Sequence, residues 1–144
     1  MRILHVSAYS IDARGYGGIP RALSALCVGQ HALGHRLTLC ATDARDGEGR
    51  LPLPEGGEGG AVDVHLFPNL SNRLAWKLQA FAPRGMGSWL ARAVPEHDVV
   101  HVHGCRHLPG GLAQRAAAAA RVPVVLSPHG TAVNIERRQG LKRA

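Results

Sequence analysis

The amino-acid sequence predicts an α/β protein built on a doubly wound parallel sheet. Five short apolar runs alternate with segments of helical spacing, a pattern typical of parallel strands joined by crossover helices. Two of these runs, DVVHVHG at 98–104 and VPVVLSPHGT at 122–131, flank an Ala-rich helical segment at 111–121. Each run contains a His-Gly pair, so this β-α-β unit should bring both pairs to one carboxyl edge. Open α/β sheets bind their ligands at that edge.

Residues 2–41 predict two strands and a helix between them. The apolar run at 2–8 predicts a buried first strand. Helical spacing begins at Ile19-Pro20, where proline is tolerated in the first turn, and Gly34 is expected to end the helix. A second strand is expected at 37–41.

The middle of the chain adds a strand and two short helices. A loop at 45–60 holds many Gly, Pro and acidic residues, and the alternating run at 62–67 predicts a third strand. Two helical pieces within 71–94 are separated by Pro83-Arg84-Gly85. The expected strand order is 3-2-1-4-5, which places the topological switch between strands one and four.

Length and composition indicate one globular domain over residues 1–144. Hydrophobic residues make up 45% of the chain, and a formal charge of +7 indicates anionic partners. Cys27, Cys40 and Cys105 are odd in number and lack metal-ligand spacing, and Cys27 and Cys40 are expected to be small buried side chains. This usage favours a reducing, cytoplasmic location. The N-terminus does not resemble a signal peptide, and no apolar run approaches the length of a membrane span. The positive charge is scattered, so nucleic acid is not an expected partner.

The glycine-rich loop at 14–21 is expected to bind phosphate. It leads into a helix whose free N–H groups favour an anion, with Gly17 and Gly18 nearest to it. The loop is not a Walker motif, and Pro20 stands where a dinucleotide fingerprint needs its third glycine. Asp43, after strand two, could still imitate the acid that binds a ribose, so a dinucleotide site stays open. A plain turn without a ligand is the simpler alternative.

The histidines after strands four and five are the remaining candidates for chemistry. His101, His103 and His107 fall in an H-x-H-x-C-x-H pattern, which keeps a metal-dependent hydrolase open as a lesser alternative. His101 is expected to be structural, whereas His103 lies at the strand end, where ligands arrive. His129 can hydrogen-bond a sugar hydroxyl or a phosphate at neutral pH. Gly130 next to it permits close approach of the backbone.

Four segments together resemble the family 4 glycosyltransferases: YGGIPR at 16–21, GHRLT at 34–38, DVVHVHG at 98–104 and VPVVLSPHGT at 122–131. The resemblance covers nearly the whole chain in the family's order. It implies the Rossmann-like N-terminal, acceptor-side half of a GT-B fold. It also implies transfer of a sugar, with retention, from a nucleotide-diphosphate sugar to a hydroxyl acceptor in cell-surface polysaccharide or glycolipid synthesis. Neither a cofactor nor a metal is expected.

The resemblance also implies roles for individual residues. His129 would be catalytic, holding a sugar hydroxyl of the donor or acceptor. Donor and phosphate contacts are expected from Gly17, Gly18, Gly130 and Thr131, and acceptor contacts from Asp12, Tyr16, Arg21 and His103. The donor-binding half of the family's fold is not found in these residues. We therefore expect the chain to be truncated, to need a C-terminal GT-B domain and to be inactive by itself, and a non-catalytic domain that binds sugar or phosphate remains the main alternative.

The segment 71–94 could also contact an anionic membrane surface. It interleaves Trp76 and Trp89 with basic residues, which suits a peripheral protein that reaches a lipid-linked acceptor. The alternative is a helix packed on the sheet, because Leu74, Leu78 and Phe81 also have core-facing spacing.

Overall fold

The computed structural model describes residues 1–46, 49–52 and 61–130. Strands and helices alternate along this part of the chain. Its strands are β1 (Arg2–Ser7), β2 (Arg36–Thr42), β3 (Asp63–Phe67), β4 (Val99–His103) and β5 (Val124–Ser127). Its helices are α1 (Gly18–Ala32), α2 (Asn72–Leu78), α3 (Met86–Ala93) and α4 (Leu108–Ala120), with short 3₁₀ turns at Arg14–Tyr16 and Val94–Glu96.

The five strands form one parallel sheet in the order β3-β2-β1-β4-β5, which confirms the predicted order and fold class. The switch in strand order falls between β1 and β4. Their register pairs His5 with His101 and Ser7 with His103. The carboxyl ends of β1, β4 and β5 therefore lie side by side, as ligand binding at a switch point requires.

The two faces of the sheet are covered by different helices, because alternate residues of a strand point to opposite sides. On one face, Ile3 and Leu39 pack with Leu23 and Cys27 of α1. On the other face, α3 and α4 pack against the apolar residues of the central strands, in a cluster that includes Leu4, Val6, Leu90, Val100, Val102, Ala113 and Ala117. Cys27 and Cys40 are both buried, as expected of small apolar side chains.

Helix ends follow the capping chemistry of the sequence. Gly34 has φ of 80° after the last turn of α1, which confirms it as the residue that ends this helix. Helix α4 starts at Leu108, three residues before the predicted start at 111. The difference arises because His107 caps the helix through its side chain, accepting a hydrogen bond at Nδ1 from the Gly110 N–H at 3.0 Å. Sequence patterns for caps emphasise Ser, Thr, Asp and Asn, so this histidine cap was not expected.

Helix α2 leaves much of its apolar surface in contact with solvent. Phe81 is buried, as core packing predicts, but Leu74 and Leu78 are 49% and 70% exposed, so the core-facing interpretation is wrong for these two leucines. Trp89 packs on the core beside Phe67, whereas Trp76 is 40% exposed. The two tryptophans of the segment 71–94 thus differ, and only one of them belongs to the sheet's core.

Candidate functional site

The candidate site is the edge of the sheet where β1, β4 and β5 end. The turn after β4 lies close to the start of α1, because a Cβ on Gly104 would come within 3.7 Å of Ile19 Cδ1. The Gly104 N–H also donates to the Ser127 carbonyl at 2.8 Å, which ties this turn to the end of β5. The glycine loop and both His-Gly turns are thereby assembled at one edge, as the strand order predicts.

The glycine loop presents an uncapped helix start. Gly17 has φ of 91°, a conformation that favours glycine, and within the described part of the chain no side chain caps α1. A Cβ on Gly17 or Gly18 would meet no atom of the described residues within 4 Å, so this part of the chain leaves space open above both glycines. Gly15 differs, because its N–H donates to the Asp46 carboxylate at 2.8 Å. Gly17 and Gly18 are thus the glycines of this loop whose surroundings leave room for an anion.

Of the predicted acceptor residues, Asp12 and Tyr16 precede α1 in the chain and Arg21 lies in its first turn. Asp12 and Arg21 are exposed, and Tyr16 is half-buried. The Tyr16 ring packs 4.6 Å from Tyr9 and 5.1 Å from Trp76, measured between ring centroids. Its hydroxyl is buried and has no hydrogen-bond partner within the described part of the chain. Burial, and then the charge of Asp46, raises the pKa of Tyr16, so this hydroxyl stays protonated and able to donate.

Three histidines and a glutamine lie in a continuous series at hydrogen-bond distance. Gln30 Oε1 of α1 is 2.8 Å from His5 Nε2, and His5 Nδ1 is 2.9 Å from His103 Nε2. His103 Nδ1 is in turn 3.0 Å from His129 Nε2. The series crosses the sheet from α1 through β1 and β4 to the turn after β5. Sequence reasoning missed both His5 and Gln30, although His5 stands out as a polar residue in an apolar strand.

His103 lies at the carboxyl end of β4, as expected, but its side chain is deeply buried. It is 1% exposed, and both its ring nitrogens are occupied by the neighbouring histidines. Its direct contact with an acceptor remains a prediction, and the structure gives it a definite contact with His129. Burial, followed by repulsion from the neighbouring histidines His101 and His5, lowers the pKa of His103 to about 2. His103 is therefore neutral at physiological pH.

His5 and His101 are held neutral in the same way. Burial lowers the pKa of His5 to about 4, and it also lowers that of His101. His101 Nε2 lies 2.8 Å from Ser127 Oγ, and the His101 ring stacks on that of His103 with centroids 4.1 Å apart. These contacts agree with the structural role expected of His101, since its ring supports the face of its neighbour.

A metal ion, if one were bound, would meet a different set of histidines from the predicted one. Donor atoms of His5, His101 and His103 lie within 4.8 Å of one another. His107 caps α4 through Nδ1 and donates from Nε2 to the His103 carbonyl at 2.8 Å, so both its nitrogens are occupied. The predicted set contained His107, but the only histidine triad that the described residues offer for a divalent cation contains His5 in its place.

His129 is the exposed end of the histidine series. Its φ of 49° lies in the left-handed region, which is uncommon outside glycine and often marks a functional turn. Gly130 follows with φ of 77°, and a Cβ there would meet no atom of the described residues within 4 Å. Thr131, the other residue predicted to bind phosphate here, lies outside the described residues. The ring of His129 is thus directed by His103 but remains accessible to a ligand.

Asp43 has a structural contact instead of an open carboxylate. It is 3% exposed, accepts a hydrogen bond from the Asn69 N–H at 2.8 Å and pairs with Arg50. These contacts join the loops that follow β2 and β3. A ribose hydroxyl would have to displace them, so the geometry does not favour a dinucleotide site at this residue.

Fold and site together define a Rossmann-like α/β domain that binds ligands at the carboxyl edge of its sheet. Residues 17–144 match the glycosyl transferase 4-like domain, and the chain belongs to this family. It is accordingly an N-terminal-type domain of a family 4 glycosyltransferase, and its general chemistry is glycosyl transfer. Gly17, Gly18 and His129 lie within the matched range, whereas Asp12 and Tyr16 precede it. A comparison with curated proteins gave no match.

Proposed function

We propose that the chain is the acceptor-side half of a retaining glycosyltransferase that uses a nucleotide-diphosphate sugar and a hydroxyl acceptor. The observation that carries this proposal is the position of His129. An exposed imidazole, supported from below by His103, stands at the same sheet edge as the open start of α1. The imidazole suits a sugar hydroxyl and the helix start suits a phosphate, and a nucleotide-diphosphate sugar contains both groups.

The chemical demand of the reaction is to stabilise charge on the departing nucleotide diphosphate. Gly18 and Ile19 offer backbone N–H groups at the positive end of a helix of 15 residues. Exposed Arg14 and Arg21 add positive charge on either side of them. Such preorganised donors act without a metal ion or cofactor, because they stabilise developing charge directly. His129 would meanwhile orient the sugar by accepting a hydrogen bond from one of its hydroxyls.

The proposal requires a second α/β half that binds most of the donor. In this arrangement the described edge forms one wall of a cleft, and the C-terminal half forms the other wall. We therefore propose that residues 1–144 alone bind ligands weakly and do not turn over. The alternative of a non-catalytic binding domain predicts the same behaviour for the fragment but no turnover in the full-length protein either.

The decisive experiment uses the full-length protein with a panel of nucleotide-diphosphate sugars. Release of nucleoside diphosphate that depends on an added acceptor, with the product's anomeric configuration read by NMR, tests both activity and retention. The proposal expects acceptor-dependent release and an unchanged anomeric configuration. Inversion would contradict the retaining mechanism, and absence of turnover across donor and acceptor panels would favour the non-catalytic alternative. Activity that disappears on chelation and returns with zinc or manganese would instead favour the metal-dependent alternative.

We further propose that the acceptor is lipid-linked and presented at an anionic membrane surface. Apolar side chains around α2 are exposed next to the glycine loop, which Trp76 contacts through Tyr16. Leu70, Leu74 and Leu108 line a cavity of about 340 Å³ together with Arg106. Exposed apolar groups beside basic ones suit a surface that enters the boundary of anionic lipids. No helix of the described residues is long and apolar enough to cross a membrane, so this contact would be peripheral.

Vesicle co-sedimentation tests the membrane contact. We expect binding to vesicles that contain phosphatidylglycerol, weaker binding to phosphatidylcholine alone, and loss of binding in a Leu74→Ser/Leu78→Ser variant. A matched control is Val28→Ser/Leu33→Ser, because these side chains, in α1 and directly after it, are 67% and 75% exposed but lie outside the α2 surface. Equal binding to both lipids, or equal losses in both variants, would contradict the proposal.

A further inference from the structure

The series from Gln30 to His129 has a direction that follows from elementary donor and acceptor chemistry. An amide oxygen only accepts, so His5 must donate from Nε2 to Gln30 Oε1. A neutral imidazole carries one N–H and one lone pair, and His5 therefore accepts at Nδ1. Its partner there is His103 Nε2 at 2.9 Å, which must donate.

The same logic determines the state of His129. Because His103 donates from Nε2, its Nδ1 holds a lone pair and accepts from His129 Nε2 at 3.0 Å. The proton of His129 is thus on Nε2, and the lone pair on Nδ1 is left for a ligand. All three histidines therefore carry their proton on Nε2. The side-chain amide of Gln30 on α1 thus determines which nitrogen of His129, beyond β4, can accept a hydrogen bond.

The surroundings hold this series in one geometry. His5 and His103 are fully buried, which excludes water that could exchange with their partners. The His101 ring stacks on His103, and His107 donates to the His103 carbonyl. The stacked ring of His101 and the hydrogen bond that the His103 carbonyl accepts thereby hold His103 in place. His129 adopts its left-handed conformation at the point where the series reaches the surface.

We propose that Gln30, His5 and His103 are positioning residues that fix the tautomer of His129 and present its Nδ1 as a hydrogen-bond acceptor. The site then selects a ligand group that donates, such as a sugar hydroxyl, over one that only accepts, such as a fully ionised phosphate. Naming the sugar hydroxyl rests on the function proposed above, but the tautomer assignment does not. His103 consequently acts through His129 and not by touching an acceptor.

Replacing the acceptor Gln30 by a residue that only donates tests the direction of the hydrogen bonds in the series. Lysine only donates, so the Gln30→Lys side chain should donate a hydrogen bond to His5 Nε2, which must then hold the lone pair, and all three histidines should move to the Nδ1–H tautomer. Gln30→Glu is the conservative control, since a carboxylate accepts as the amide oxygen does. His31→Ala controls for a change on the same helix, because His31 is exposed and lies outside the series. Gln30 is half-buried at the end of α1, so these variants should fold.

The readout is nitrogen NMR of the full-length protein labelled at histidine. Long-range ¹⁵N–¹H correlations report each tautomer, and couplings across N–H···N bonds report each contact. We expect Nε2–H on all three rings in the wild type, Gln30→Glu and His31→Ala, and Nδ1–H in Gln30→Lys. Mixed tautomers of His129 in the wild type, or no change of tautomer in Gln30→Lys, would overturn the proposal. So would a stoichiometric metal bound by His5, His101 and His103, because the metal would take the lone pairs.

A kinetic measurement separates this inference from the proposed function. With a transferable donor, Gln30→Lys should lower kcat by about tenfold, the size of one hydrogen bond lost in the transition state. Gln30→Glu should stay within about twofold on the same scale. If the tautomers reverse while kcat is unchanged, the series exists but His129 has no part in transfer. If the tautomers do not reverse, the series itself is wrong, whatever the protein's activity.

Discussion

The two His-Gly turns at the carboxyl edge look alike in sequence and differ in structure. His103 is 1% exposed with both nitrogens occupied, whereas His129 is exposed and has one occupied nitrogen among the described contacts. The difference arises from the sheet, since β4 lies between β1 and β5 while β5 is the last strand in the order of the described strands. Identical dipeptides at parallel strand ends therefore differ in burial, and we expect separate tasks for them: the central histidine supports its neighbour, and the outer one contacts the ligand.

Removing the buried histidine should have the largest effect on stability. His103→Ala leaves a cavity and deprives His5 and His129 of their shared partner, so we expect a loss of about 3 kcal/mol in the free energy of unfolding. Urea denaturation of the full-length protein measures it. His31→Ala is the control for an exposed histidine and should change little. A loss below about 1 kcal/mol would show that the series stabilises nothing.

Acid should weaken the same region. Burial lowers the pKa of His5 to about 4 and that of His103 to about 2, below the ordinary value of 6.5. Below pH 6.5 the unfolded chain binds protons that the folded chain does not, so the free energy of unfolding falls as pH falls. Each such group contributes a slope of up to about 1.4 kcal/mol per pH unit, and stability above pH 6.5 is unaffected by them.

The variant His5→Gln checks this assignment, because it removes one titrating group while keeping an amide that can hydrogen-bond. Urea midpoints between pH 6.5 and pH 4.5 should then fall less steeply than in the wild type. Parallel pH profiles for the two proteins would mean that His5 is not the group responsible.

Alanine substitutions at Gly104 and Gly130, the glycines of the two turns, should lower the free energy of unfolding by smaller and unequal amounts. Gly104→Ala places a Cβ 3.1 Å from His107 Nε2 at φ of 85°, and should cost about 2 kcal/mol. Gly130→Ala places its Cβ away from every atom of the described residues at φ of 77°, so we expect only the backbone cost of about 1 kcal/mol. Thermal unfolding of both variants compares them directly. A larger loss at Gly130 would reverse the assignment of the supporting and the exposed turn.

The smallest effect on stability is expected at His129. Its side chain is exposed, and water that enters in its place can donate to His103 Nδ1, so His129→Ala should change the free energy of unfolding by less than about 0.5 kcal/mol. The same urea measurements as for His103→Ala provide the comparison. A loss as large as that of His103→Ala would mean that the outer histidine is also structural.

The sequence was sufficient for the topology but not for the contacts of the site. Alternating strands and helices predicted the strand order, and the His-Gly pairs predicted the edge. The pairing of His5 with His101 depends on the register between β1 and β4, which are far apart in the chain, and no local pattern specifies it. The sequence predicted that His103 lies at the carboxyl end of β4. It did not predict that His103 is buried among other histidines, because that also depends on the register between β1 and β4.

The exposed side of α2 shows a similar limit. Leu74, Leu78 and Phe81 share a spacing that predicts one buried face, yet only Phe81 is buried. The helix ends at Leu78, and Gln79 takes φ of 56°, which turns the chain so that Phe81 reaches the core without the two leucines. A periodic pattern assumes a continuous helix, and it fails where the helix stops within the pattern.

The central claim is that His129 performs chemistry while His103 supports it, and the turnover of His129→Ala in the full-length enzyme tests it most directly. Steady-state kinetics with saturating donor should show a fall in kcat of at least about tenfold, with folding as stable as in the wild type. His31→Ala, measured in parallel, should keep the wild-type rate. If His129→Ala retains turnover within about threefold, a change under about 1 kcal/mol, the role assigned to His129 is contradicted.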